Sequence, residues 1–172
     1  MKNTVVIYAS NYGFTQQYAL HISKELGCDV FNLNNFDSDL LNNYETIIFG
    51  SGVYAGKLNK ASFINKNQSK LTNKNIIIFS VSLTTPRNDE DKKRIQLVFE
   101  NSIRTNLNIK FFNMPGGMNY SKLNTIHSMM MKAAKLSMKS KLSKEEYNNF
   151  EQDRDLVNLE LSNELIKYVK SL

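Results

Sequence analysis

The chain has 172 residues, 41% of them hydrophobic, with a formal charge of +6 at neutral pH and a pI near 9.3. This length supports one domain with a real core, and no apolar run approaches the ~20 residues that span a bilayer. The single cysteine, Cys28, excludes an internal disulfide and fits a reducing compartment. The start, Met1-Lys2-Asn3-Thr4-Val5, runs straight into an apolar pattern without signal-peptide architecture, so a cytoplasmic protein is expected. Nucleic acid, an anionic membrane surface or an acidic substrate would each suit the positive balance, and so would plain solubility.

The first element, Thr4-Val5-Val6-Ile7-Tyr8, is a β-branched run that predicts a strand. After it comes Ser10-Asn11-Tyr12-Gly13-Phe14-Thr15, and then Tyr18, Ala19, Ile22 and Leu26 at helical spacing. The stretch is therefore strand, tight loop and helix. Two hydroxyls, a glycine and the amides of a helix N-terminus suit an anion, usually a phosphate. The other reading is an ordinary βα turn with Ser10 as N-cap. It is not a Walker loop, since no Gly-Lys-Ser/Thr follows, and one glycine does not make a dinucleotide fingerprint.

Residues 28–33 alternate as a second strand, placing Cys28 between helix and strand as a buried structural thiol. Residues 34–43 form a polar turn or short helix, and 44–50 a buried strand. That strand enters a loop with Gly50, Gly52 and Gly56. Residues 60–72 predict a helix, 75–81 the most apolar strand, 88–105 a helix and 109–112 a short last strand. A final helix is expected over 151–170. Apolar strands alternating with helices argue for a doubly wound parallel sheet covered on both faces, in one domain over 1–172.

Between the last strand and the last helix lies an insertion, about residues 113–150. From Pro115 to Ser143 it holds no Asp or Glu but five lysines: Lys122, Lys132, Lys135, Lys139 and Lys141. Leu123, Ile126, Met130, Ala134 and Met138 recur at helical spacing, and Lys132, Lys135 and Lys139 share another face. Such a helix either lies on an anionic membrane through 122–141 or meets a partner, or it packs on the sheet with its lysines solvated. His21 and His127 have no metal-ligand companions at useful spacing and read as surface or packing residues.

The whole chain resembles the flavodoxin-domain family. Ser10–Thr15 matches that family's phosphate loop, written Ser/Thr-x-Thr-Gly-x-Thr, with Tyr12 where a Thr is usual. Ser51-Gly52-Val53-Tyr54-Ala55-Gly56-Lys57 matches its first flavin-flanking loop, with Tyr54 where an aromatic stacks on the ring. Ser82, Leu83 and Thr84 open the second flanking loop, which carries no aromatic. The resemblance implies a flavodoxin-like sheet of five parallel strands in the order 2-1-3-4-5, with a helical insertion after strand 5. It also implies FMN, held by Ser10, Asn11, Tyr12, Gly13, Phe14, Thr15, Gly52, Val53, Tyr54, Ala55, Gly56, Ser82, Leu83 and Thr84.

Gly50–Gly56 and Met114-Pro115-Gly116-Gly117-Met118-Asn119-Tyr120-Ser121-Lys122-Leu123 look most like the group that includes the short, quinone-dependent protoporphyrinogen oxidase. That likeness implies an FMN-dependent oxidoreductase with a small-molecule or quinone redox partner and no nucleic acid. It would work in the cytoplasm or peripherally at the inner membrane face. Arg87, Tyr120 and Lys122 are the substrate candidates, and no catalytic acid or base is evident. The alternatives are a flavodoxin-type electron carrier, against which the charge of +6 counts because such carriers are acidic, and a non-enzymatic module of the same fold.

Overall fold

A computed structural model of the protein describes residues 3–83, 88–140 and 142–172. Strands β1 (Thr4–Ala9), β2 (Asp29–Asn32), β3 (Thr46–Tyr54), β4 (Lys57–Leu58), β5 (Asn75–Ser82) and β6 (Ile109–Pro115) form one sheet. Between them run α1 (Phe14–Leu26), the short α2 (Ser62–Lys66) and α3 (Gln68–Leu71), and α4 (Asp89–Ser102). After β6 come β7 (Gly117–Met118), α5 (Thr125–Ser137), α6 (Lys144–Asn148), β8 (Arg154–Asp155) and α7 (Asn163–Lys170).

The order across the sheet is β2-β1-β3-β5-β6, all parallel, with β4 folding back antiparallel on β3. With β4 set aside this is the expected 2-1-3-4-5 order of a doubly wound α/β fold. The period of two along buried strands divides the core into two layers. Val6, Tyr8, Ile48, Ile77 and Phe79 face α1 and α7, meeting Ile22, Ile166 and Val169. Val5, Ile7, Ile47, Phe49 and Ile78 face the other way, onto Leu41, Ile64, Leu71 and Ile103.

Four boundaries differ from expectation. The helix over 60–72 is broken at Asn67, whose side-chain amide donates to the Phe63 carbonyl at 2.8 Å and so competes with the helix ladder. Strand β3 runs on to Tyr54, so most of the expected loop 51–57 is strand. Strand β6 runs on to Pro115 because Asn113 and Met114 pair with Ser80 and Val81. The helix expected over 151–170 begins only at Asn163. Arg154–Asp155 instead pair with Gly117–Met118, and the Asn158 side chain caps a 3-10 turn over Leu159–Ser162.

Residues 116–157 leave the sheet after β6 and return before that turn, and one side chain holds both ends. The fully buried Tyr18 hydroxyl donates to the Pro115 carbonyl at 2.8 Å and accepts from the Asn158 amide at 3.0 Å. Just beyond, the Leu156 amide donates to the Gly116 carbonyl at 2.9 Å. Burial pushes the Tyr18 phenol above its ordinary pKa, with Asp155 adding to the shift and the Asn158 bond opposing it.

Tyr18→Phe leaves two buried backbone groups without their partner, so urea unfolding should show a loss of about 1–3 kcal/mol. Folding holds this phenol neutral. Its share of stability is therefore full below the ordinary value of 10.0 and falls as pH rises beyond it. A Phe variant with unchanged stability would show that other contacts hold the insertion.

Candidate functional site

Strands β1 and β3 end side by side, Ala9 opposite Ser51, where the chain order across the sheet reverses. In open α/β sheets this reversal leaves a crevice beyond the strand ends. Here a cavity of about 240 Å³ occupies it.

The first wall is the loop from β1 to α1. Gly13 takes φ +90°, the left-handed region that favours glycine. It is the N-cap of α1, so the expectation of Ser10 as N-cap is corrected. The Ser10 Oγ instead accepts from the Gly13 amide at 3.0 Å, which tightens the loop. No side chain caps the helix and no acid lies in its first turn. Thr15 is buried against the cavity, and no hydrogen bond joins its hydroxyl to another described residue. This is the unsatisfied N-terminal dipole and hydroxyl pair that an anion would complete.

The second wall is the β3–β4 hairpin. Ala55 (φ +48°) and Gly56 (φ +72°) make a two-residue turn with both central angles positive, which matches the twist of the flanking strands. The Tyr54 ring folds back over Gly52, where a Cβ would come within 3.1 Å of it. Burial raises the Tyr54 phenol to about 12; proximity to Tyr12 adds to this and a backbone hydrogen bond with Asn11 opposes it. Val81, Ser82 and Leu83 close the side beyond β5.

The insertion supplies the roof: Gly117, Met118, Leu123, His127, Met130 and Met131. Its first residues cross close to the phosphate-type loop, since a Cβ on Gly117 would lie 2.3 Å from the Phe14 ring. The His127 imidazole stacks on Tyr54, with ring centroids 4.8 Å apart and planes 8° from parallel. The Tyr12 ring meets both edge-on. The Tyr12 hydroxyl and His127 Nδ1 share a hydrogen bond of 2.5 Å, and the Asn124 amide donates to the same hydroxyl oxygen at 3.4 Å. Tyr12, the departure from the family's Thr, therefore ties the loop to the N-terminus of α5.

Of the expected site residues, Ser10, Tyr12, Phe14, Thr15, Gly52, Val53, Tyr54, Ala55, Gly56, Ser82 and Leu83 line this one cavity. Asn11 and Gly13 shape the loop without lining the cavity, and the Asn11 side chain accepts from Asn59 at 3.4 Å. Thr84 and Arg87 lie outside the described residues. Tyr120 and Lys122, two of the substrate candidates, are not among the residues that line the cavity. Both sit on a 3-10 turn, where the Tyr120 amide donates to Asp153 at 2.6 Å and Lys122 is exposed.

His127 is a packing residue, stacked on Tyr54 and bonded to Tyr12, but its place in the roof of the cavity was not part of the expectation. It lies 115 positions from Tyr12 in the chain, and no local signal links them. No Asp, Glu, Lys or Arg lines the cavity among the described residues, and none of these forms a metal-type cluster. Cys28 stands apart from the site, its thiol pushed up to about 11 by burial.

The chain belongs to the flavodoxin-domain family, whose model matches residues 5–146. An uncharacterized protein of Methanocaldococcus jannaschii is 34% identical over 82 residues, 48% of this chain and 55% of that protein. The chain thus spans about half the length of the curated relative it matches. A WrbA-like flavodoxin from Agrobacterium tumefaciens is 22% identical over 59% of this chain and 74% of its own, with a TM-score of 0.44. The two-electron reduced flavodoxin of Megasphaera elsdenii is 17% identical over 63% of this chain and 85% of its own, at 0.45. A Fusobacterium nucleatum flavodoxin bound to flavin mononucleotide is 17% identical over 64% and 69%, at 0.41.

Tyr12→Phe removes both bonds from the loop to α5. Trypsin should then cut after Lys132 and Lys135 about fivefold faster, because local opening becomes ~1 kcal/mol easier. Unchanged cleavage would mean that α5 is held by its other contacts alone.

Proposed function

We propose that the protein is an FMN-binding redox protein. The observation that carries this reading is that an α1 N-terminus with no side-chain cap, and a Thr15 hydroxyl with no hydrogen-bond partner among the described residues, border the same cavity as the Tyr54 ring. The residues fit the cofactor. The amides of the loop and the Ser10 and Thr15 hydroxyls would hold the terminal phosphate. Tyr54, in its glycine-flanked hairpin, would stack on the flavin ring. FMN, when bound, supplies the reversible uptake of electrons and a proton.

The chain's own contribution is binding, orientation and exclusion of water. The loop lacks Lys and Arg, so the phosphate would be met by dipoles and hydroxyls alone. His127 and Tyr54 are already stacked, so a planar ring that takes that face of Tyr54 must turn the imidazole aside. The roof of Met118, Leu123, Met130 and Met131 is apolar and adaptable, which suits a small hydrophobic reactant above the ring.

The finer reading is an oxidoreductase of the protoporphyrinogen oxidase type that passes electrons to a quinone. The likeness of the 114–123 segment and this apolar roof support it. The basic charge of +6 weighs against a flavodoxin-type carrier.

Fluorescence quenching should show FMN binding more tightly than riboflavin, and Thr15→Ala should weaken FMN alone, by about 1–2 kcal/mol or five- to thirty-fold. Equal affinity for riboflavin and FMN would remove the phosphate site. The loaded protein should also produce fluorescent porphyrin from protoporphyrinogen only when a quinone is supplied. No porphyrin would remove that substrate while leaving FMN binding intact.

A further inference from the structure

We propose that the outer face of α5 seats the protein on an anionic lipid surface. The helix has two unlike sides. His127, Met131, Ala134 and Lys135 turn inward, and Lys135 is held there by Glu151 at 3.3 Å and by the Tyr147 ring at 4.9 Å. This corrects the expectation that Lys132, Lys135 and Lys139 share one solvated face. Outward, Ile126, Met129, Ala133 and Leu136 follow at spacings of three and four, so they form one stripe along the helix. Ile126 is 69% exposed, Met129 67% and Leu136 69%. Of the twelve large hydrophobic residues exposed among the described ones, these three, the most exposed of all, fall on this one stripe. Such clustering marks an interaction surface, whereas scattered apolar residues do not.

Charge identifies the occupant. Lys132 and Lys139 are exposed and lie along one border of the stripe. Between Glu100 and Glu145 the sequence contains no acidic residue at all. An apolar stripe edged by lysines, on the solvent-facing side of a helix, is the arrangement that enters the boundary between headgroups and acyl chains. A second copy of this chain would set the same lysine border against itself. A protein partner calls for a polar rim of matched hydrogen bonds, while a bilayer needs only apolar depth and cations to meet its phosphates. The seating does not depend on what fills the cavity. It would, however, bring the apolar roof, on the other side of the same helix, next to the lipid.

The test is co-sedimentation of the full chain with vesicles of phosphatidylcholine alone and of phosphatidylcholine mixed with phosphatidylserine. Binding is expected to the mixed vesicles only, with release by salt. Lys132→Glu with Lys139→Glu should lower the partition roughly twenty-fold or more, since each lysine near the surface contributes about fivefold. Leu136→Asp, at a solvent-facing position, should abolish binding without changing the circular dichroism spectrum. No binding at low salt, or binding that the variants leave unchanged, would overturn the proposal. So would sedimentation velocity showing a vesicle-free dimer that Leu136→Asp dissociates, because the stripe would then be a subunit interface.

Discussion

One hydroxyl governs how this protein departs from a plain doubly wound sheet. Tyr18 sits one turn into α1, fully buried, and its oxygen meets Pro115 on the way out to the insertion and Asn158 on the way back. A chain segment of that length has many ways to lie over a sheet edge. Fixing both ends at one buried point removes most of them, and the β7–β8 pair next to it zips the first residues together. Because Tyr18 follows directly from the Ser10–Thr15 loop, the clamp also fixes the insertion relative to the site. Gly117 can pass against Phe14 only because it lacks a side chain.

The consequence is a change in the kind of site the fold offers. A loop, a hairpin and a strand end at the switch point would make an open crevice. Here α5 lies across it, anchored at one end by Tyr12 through His127 and Asn124 and toward the other by Lys135 through Glu151 and Tyr147. The result is a roofed, partly open cavity with hydroxyls and amides on one side, aromatic rings in the middle and methionines above. This gradient from polar to apolar suits a ligand with an anionic end and a planar body.

The sheet was legible in the sequence because its strands are buried on both faces and read as unbroken apolar runs, with turn residues between them. The floor of the site was legible for a related reason. Ser10–Thr15 and Gly52–Gly56 are local motifs whose chemistry depends on neighbours in the chain. The roof was not legible. His127 reaches Tyr54 and Tyr12 only through the path of the insertion, and the imidazole carries no spacing signal of its own. The last helix was overestimated because Leu156 and Leu159 fall on a helical period by coincidence, while Arg154–Asp155 pair with β7 and Asn158 caps a turn. Lys135 was misplaced for the converse reason. Helical spacing puts it close to two solvated lysines, but a carboxylate and a ring on the returning segment draw it inward.

The central claim is that the loop, the hairpin and α5 act as one binding chamber. Amide hydrogen exchange with and without saturating FMN tests it most directly. The account predicts that protection rises together in three separated segments, 10–17, 52–56 and 125–131, because the ligand contacts the floor and the roof closes over it. Protection confined to 10–17 and 52–56, with α5 exchanging as before, would show that the insertion only borders the site and would contradict the account.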